Sequence, residues 1–216
     1  RSGRDPQEAL ASALFVDWSA SLQMRPLWSY LADRLKAGHP LELPGFDMQF
    51  TGSASSDHLL KELDGFLARA CLPPEAAASA SRVKSVLGLV FKDPGFVAKG
   101  SEFQSLEPED RAAALDAHRA LGDALKSLPS SGESDALERD YWIQLLKSIA
   151  ALLGQSWRID PLAMSPEMRE WAFNVRDRQM ADNLLWLAER AYPKRKIIVW
   201  AATSHIIRRR DLVTNI

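Results

Sequence analysis

The stretch that most constrains the fold is residues 174–205, NVRDRQMADNLLWLAERAYPKRKIIVWAATSH. Its first half belongs to a predicted helix that begins at Ser165-Pro166 and ends before Pro193, since proline suits a first helical turn and stops a helix that reaches it. The run at 197–202, IIVWAA, is short, β-branched and bounded by polar residues, which is typical of a buried parallel strand. Helix, short link and buried strand together make half of an α/β unit.

A second strand is predicted at residues 41–50, LELPGFDMQF, and most other segments have helical patterns. The sequence therefore predicts an α/β fold that is rich in helices and has a mostly parallel central sheet. A large helical insertion is expected at about residues 55–165. At 216 residues the chain is predicted to form one domain, 1–216, and the motifs described below predict that this domain is incomplete.

Composition narrows the classes of partner. A net charge of −1 argues against nucleic acid or an anionic membrane as a partner, because both call for a basic patch. No apolar stretch approaches the roughly 20 residues that span a bilayer, so a soluble protein is expected, with the cytoplasm favoured. Cys71 is the one cysteine, which excludes an intrachain disulfide and a thiolate zinc site. Composition does not determine the oligomeric state.

The final long helix has polar residues within an apolar stripe. Arg176, Met180, Asn183 and Leu187 recur at i, i+4, i+7 and i+11 and therefore share one face. Polar groups placed there must find hydrogen-bond partners, because a buried unpaired group costs about 1–3 kcal/mol. Arg176 is either a structural arginine paired with a carboxylate or backbone carbonyls, or a functional one. Asp177 follows Arg176 and lies beside this face of the helix, where its carboxylate could hold the guanidinium of a neighbour.

Further candidates lie at the ends of the two predicted strands. His205 follows IIVWAA, where ligand sites gather in open α/β sheets and where a histidine is suited to proton transfer. It could equally cap a helix or lie on the surface. Asp47 and Gln49 end the first strand, where they could orient a substrate or position a catalytic arginine. They could equally form an Asx-type turn.

The remaining histidines and the absent motifs exclude several chemistries. His118 lies between Leu115 and Leu121 on one helix face and is expected in the core, whereas His39 and His58 are expected to face solvent. The sequence has no G-x-S-x-G, P-loop, G-x-G-x-x-G or H-E-x-x-H motif. A metal site built in three dimensions, with His205 and a carboxylate such as Asp47, remains a third hypothesis.

Two blocks of the sequence resemble the erythromycin esterase family. Residues 174–187, NVRDRQMADNLLWL, and 196–205, KIIVWAATSH, are similar to the family's R-D-x-x-M-A-x-N helix and its strand ending in W-A-H-N-x-H. Residues 27–52, LWSYLADRLKAGHPLELPGFDMQFTG, are similar to its helix leading into a G-F-D-x-Q strand. Between these blocks the resemblance is only to a helical region of the right kind.

The resemblance implies a hydrolase that cleaves an ester or lactone with an activated water and needs no metal or other cofactor. Its partner would be a small-molecule substrate, which family membership does not specify. Arg176 matches the family's active-site arginine, and His205 matches the second histidine of the strand-end motif. The other matched positions, assigned to substrate binding or orientation, are Asp47, Gln49, Asp177, Met180 and Asn183.

The sequence departs from the family pattern at two points. Ala202 stands where the family has the first strand-end histidine. The family's general base is a histidine in a G-E-x-x-H strand, but the Gly-Glu of this chain, Gly132-Glu133, has no histidine near it. We therefore expect the base to lie outside this sequence. The alternative is a non-catalytic binding or scaffold protein on the same fold with an eroded site.

Overall fold

The computed structural model describes residues 12, 14, 16–50, 53–93, 97, 100–160, 163–202 and 205. Its α-helices are α1 Val16–Ser19, α2 Arg25–Lys36, α3 Ala54–Ala70, α4 Pro74–Lys92, α5 Pro108–Ser127, α6 Glu133–Arg158 and α7 Pro166–Trp186. A 3-10 turn at Leu22–Met24 precedes α2, and a π-helical turn at Leu187–Ala191 continues α7. None of the described helices is long and apolar enough to cross a membrane.

The predicted α/β fold with a parallel sheet is wrong. Within the ranges given above, no residue belongs to a β-strand. Residues 39–50, which we call the strap, and residues 197–202 are neither helical nor paired in a ladder. β-Branched and alternating patterns favour an extended backbone, but a sheet forms only where a second strand supplies the backbone hydrogen bonds. Ile198, expected in a buried strand, is 95% exposed.

The long helices begin where the sequence supplies the right first residues. Helices α4, α5 and α7 each have proline in the first turn, where a missing N–H leaves no hydrogen bond unmade. The hydroxyl of Ser165 accepts the backbone N–H of Met168 at 3.2 Å and so caps α7, which confirms the predicted start of that helix. These signals fix the position of α7 along the chain and therefore which residues face its neighbours.

Helices α3 to α7 pack in chain order, each against the next, and α6 lies between α5 and α7. Apolar side chains of α3 to α6, with Phe103 from the link between α4 and α5, form the main core, which removes a large apolar area from water. Its best-buried members are Leu63, Val83, Leu87, Phe103, Leu121, Leu125, Leu146, Ile149 and Leu153. Helix α7 runs antiparallel to α6, since Gln144 contacts Asn183 while Gln155 donates to the carbonyl of Ala172 at 2.6 Å.

The strap is held both by α7 and by the residues that follow it. Glu42 pairs with Arg195 at 3.5 Å and accepts a hydrogen bond from the hydroxyl of Tyr192. Burial, and then this bond to Glu42, raise the pKa of Tyr192 to about 12. Further along the strap, Met48 is 2% exposed and serves as an apolar anchor. The strap is therefore an ordered segment that brings one of its two acidic residues, Asp47, to α7.

His118 is a core residue, as predicted. Its ring is 2% exposed, and Nδ1–H donates to the carbonyl oxygen of Ala114 at 2.7 Å. Nε2 is buried and has no hydrogen-bond partner among the described residues. Burial lowers the pKa of His118 because it disfavours the charged ring, and the bond to Ala114 opposes this only in part.

We expect His118 to make stability depend on pH. The unfolded chain takes up the proton near pH 6.5, whereas the folded ring stays neutral to lower pH. The free energy of unfolding should therefore be highest above about pH 6.5 and fall as the pH is lowered through the folded-state pKa. Denaturant titrations at neutral and mildly acidic pH measure this. The decrease in the free energy of unfolding at acidic pH should be smaller in His118→Leu than in the wild type. In the control His39→Leu, which changes an exposed loop residue, the decrease should be as large as in the wild type. An unchanged pH dependence in His118→Leu contradicts the assignment.

Candidate functional site

The guanidinium of Arg176 on α7 binds the carboxylate of Asp47 on the strap. Arg176 Nε donates to Asp47 Oδ1 at 3.0 Å, and a terminal nitrogen donates to Oδ2 in a second, shorter bond. The two side chains are 22% and 33% exposed, so the pair is partly screened from water. Two parallel charge-assisted bonds fix the plane of the guanidinium as well as its position.

Asp47 also closes a local turn. Its Oδ1 accepts the backbone N–H of Gln49 at 3.2 Å, which is the Asx-type arrangement. The two interpretations of Asp47 left open by the sequence are therefore compatible, since one carboxylate forms the turn and holds the arginine. Gln49 itself is exposed. It takes part through its backbone, and a role for its side chain in substrate binding stays a prediction.

Asp177, the next residue of α7, binds His205. Nδ1 of His205 lies 2.6 Å from Asp177 Oδ1, and the His205 side chain is only 7% exposed. The ring also packs near that of Phe173, one turn earlier on α7, with centroids 6.2 Å apart. A backbone bond from His205 N to the carbonyl of Ala202, 2.9 Å, turns the chain at this point. Asp177 thus pairs with a histidine, whereas the sequence had left open a contact with a neighbouring guanidinium.

Asn183 is the centre of a buried polar cluster between α6 and α7. Its Oδ1 accepts from Gln144 Nε2 at 2.7 Å, from Ser148 Oγ at 3.0 Å and from Gln179 Nε2 at 2.9 Å. Its Nδ2 donates to the carbonyl oxygen of Phe46 on the strap at 2.9 Å. Both ends of the amide are thus bound by the protein itself. The predicted role of Asn183 in orienting a substrate is untested, and what the contacts show is that it orients the strap.

Sequence reasoning missed three members of this cluster: Gln144, Ser148 and Gln179. A signal existed, because Gln179 lies on the α7 face that Arg176 and Asn183 share, and Gln144 and Ser148 are four residues apart on α6. Met180, on the same face of α7, is 6% exposed and contributes apolar packing. The cluster satisfies polar groups that would otherwise be buried without partners.

The two side-chain pairs bring distant segments to successive residues of one helix. Asp47 lies 129 positions from Arg176 in the sequence, and His205 lies 28 positions from Asp177. These two contacts provide an oriented cation, Arg176, and an imidazole, His205, that is held by a carboxylate. As for the metal hypothesis, Asp47 and His205 bind Arg176 and Asp177 respectively, and no group of three possible ligands is assembled within the described part of the chain.

Comparison with known proteins gives the family. A model of the erythromycin esterase family matches residues 1–214. The chain belongs to the erythromycin esterase family. It is 22% identical over 206 residues to "Putative hydrolase YbfO" of Bacillus subtilis (strain 168). That match covers 93% of this chain and 44% of the relative, so the chain spans less than half the length of the curated relative. No solved structure matches the chain at a significant level.

The family model spans the sequence blocks that carry the resemblance. It confirms the family resemblance drawn from residues 27–52, 174–187 and 196–205. The sequence blocks that carry the resemblance are the segments that the structure brings together, because Arg176 and Asp177 on the helix bind Asp47 and His205.

We expect Asp47 and Arg176 to be energetically coupled. A double-mutant cycle with Asp47→Ala and Arg176→Ala, measured by denaturant unfolding, should give a coupling free energy of about 1–2 kcal/mol, since the pair is bidentate and partly buried. The control is Asp33 with Lys36 on α2, 3.9 Å apart and 71% and 76% exposed. Its coupling should stay below about 0.5 kcal/mol. Equal coupling in the two cycles contradicts a special role for the Asp47 pair.

Asn183→Ala should lower the free energy of unfolding by at least about 2 kcal/mol, because it leaves the donors of Gln144 and Ser148 without their acceptor and takes one of two acceptors from Gln179. Asn174→Ala, an exposed asparagine on the same helix, is the matched control and should change it by no more than about 0.5 kcal/mol. If both variants unfold at the same denaturant concentration, the cluster does not hold α7 and the strap in place.

Proposed function

We propose that this chain forms part of the active site of a hydrolase that cleaves an ester or lactone with an activated water. The observation that supports this most is the pairing on successive residues of α7, where Arg176 and Asp177 hold Asp47 and His205. A cation and an imidazole, each fixed by a carboxylate, are the groups that acyl transfer to water requires besides a general base.

Arg176 is assigned to charge stabilisation. When water adds to the carbonyl carbon of an ester, the carbonyl oxygen becomes an oxyanion, and a pre-oriented cation lowers the energy of that state. Asp47 uses Nε and one terminal nitrogen of Arg176, so the other terminal nitrogen is the donor that would face the oxyanion. The bidentate bond holds the guanidinium rigid, which preserves its orientation during the reaction.

His205 is assigned to proton transfer. After water has added, the bond from the carbonyl carbon to the leaving oxygen breaks, and that oxygen takes a proton to become an alcohol. A histidine held by a carboxylate is suited to this step: Nε2 takes up a proton from solvent, gives it to the leaving oxygen and becomes neutral again, while the general base releases to solvent the proton that it removed from water. The base that first removes a proton from water is expected outside the described residues, as the missing G-E-x-x-H motif indicates.

A binding or scaffold protein with an eroded site is the second candidate. Ala202 stands at the position of a family histidine and offers no proton-transfer group. The Arg176 guanidinium already has a carboxylate partner, which is also how a purely structural arginine is satisfied. In this case the protein would bind an ester or lactone through the same segments and release it unchanged.

Hydrolysis of a panel of aryl esters, aliphatic lactones and macrolide lactones by the purified protein distinguishes the two. We expect turnover of at least one class and a loss of about 10²–10⁴-fold in kcat/KM for Arg176→Ala and for His205→Ala. Arg178→Ala and His39→Ala, which remove exposed residues of the same types, are the matched controls. They should retain wild-type activity.

Three results would change the assignment. Binding of a panel member without turnover supports the scaffold alternative. Activity that disappears with a chelator and returns with a divalent metal supports the metal-assisted hypothesis. Activity that survives in both Arg176→Ala and His205→Ala places the chemistry elsewhere in the protein. Circular dichroism of every variant separates loss of function from loss of fold.

A further inference from the structure

The contact between Asp177 and His205 fixes the position of the imidazole ring and also which of its two nitrogens carries a proton. Nδ1 and Oδ1 are 2.6 Å apart, a distance typical of a short charge-assisted hydrogen bond. An ionised carboxylate has only acceptor oxygens, so the proton of this bond must be on Nδ1. Two acceptors placed this close would repel each other, and the arrangement therefore selects one tautomer of a neutral His205 ring.

We infer that Asp177 is a positioning residue, which holds His205 in the tautomer protonated on Nδ1 and leaves Nε2 as the nitrogen that exchanges protons with the reacting group. This inference rests on the proposed function for its catalytic consequence. Its structural part, the tautomer, does not depend on which substrate is cleaved or on whether one is. Asp177 itself is not assigned any contact with substrate.

The surroundings of the ring support a fixed orientation. His205 is 7% exposed at its side chain, and Phe173 lies beside it on the turn of α7 that precedes Asp177. A ring that is held at one edge by a carboxylate and packed near an aromatic neighbour has little freedom to flip. The side chain of Asp177 is 36% exposed, so water reaches the carboxylate while the imidazole stays largely covered.

The charged residues that flank Asp177 on α7 do not compete for it. Arg176 is bound to Asp47, and Arg178 is exposed. Asp177 is therefore directed at His205 and not at a guanidinium of its own helix. This division, in which one acid orients the cation and the other orients the imidazole, gives each functional group its own partner.

The tautomer is measured directly by ¹⁵N–¹H correlation spectra of the histidine side chains at neutral pH. The chain has four histidines, and His205→Gln assigns the His205 signals by difference. Buried His118, whose Nδ1–H donates to Ala114, is an internal reference for the same tautomer. We expect wild-type His205 to be protonated on Nδ1. Asp177→Asn should move protons to Nε2, because the amide can donate to Nδ1, and should leave His118 unchanged.

Kinetics supply the second readout. Asp177→Asn should lower kcat by about 100-fold or more while KM stays within about twofold, since the residue orients a proton-transfer group and binds no substrate. Asp177→Glu, which keeps the carboxylate, should recover part of this loss. Asp182→Asn makes the same chemical change at an exposed position of α7 and should match the wild type in both readouts.

Each outcome bears on the inference. Wild-type His205 protonated on Nε2, or a tautomer that Asp177→Asn leaves unchanged, overturns it. A rise in KM without a fall in kcat also overturns it, because that is the mark of a substrate-binding residue. If Asp177→Asn does not fold, the wild-type spectrum and Asp177→Glu still decide the tautomer. If the wild type cleaves no ester or lactone, the proposed function fails while the spectra still test the tautomer on their own.

Discussion

Every polar group that α7 buries must find a partner, and this requirement organises the site. Asn183 meets it with an oxygen that accepts from two residues of α6 and one of α7, and with a nitrogen that donates to the strap. Removing such a group leaves donors unsatisfied, which costs more than a hydrogen bond contributes when it forms. The amide therefore ties three segments together by a contact that no apolar residue can replace.

The strap and the C-terminal segment (residues 197–202 and 205) are attached to the rest of the protein in different ways. The strap is held by Asn183, by the pair of Asp47 with Arg176 and by the contacts of Glu42, so it is fixed at several points. The C-terminal segment reaches α7 through His205, and its Trp200 packs edge-to-face on Trp18 at 4.7 Å. Stability comes chiefly from the apolar core of α3 to α6. Helix α7 contributes mainly by placing polar groups, which is how rigid helices support functional sites.

The family assignment and the contacts answer different questions. The match over residues 1–214 shows which family the chain belongs to, but function depends on the site and not on the fold. In the site, Arg176 and His205 are each held by an acid, and Ala202 replaces a histidine. These three positions are where a working hydrolase and an eroded binding protein would differ, and they are the ones to be tested first.

The sequence by itself determined the helix-rich character of the chain, the start of α7, the family and most of the residues worth examining, because proline starts, apolar periodicity and the R-D-x-x-M-A-x-N motif are local signals. It also placed His118 in the core correctly. It did not determine the pairing of Asp47 with Arg176 or of Asp177 with His205, since those residues meet only after the strap and the chain that follows α7 have packed against that helix. The predicted sheet failed for the same reason: IIVWAA has the local preference of a strand, but strand pairing depends on a partner that local sequence cannot specify.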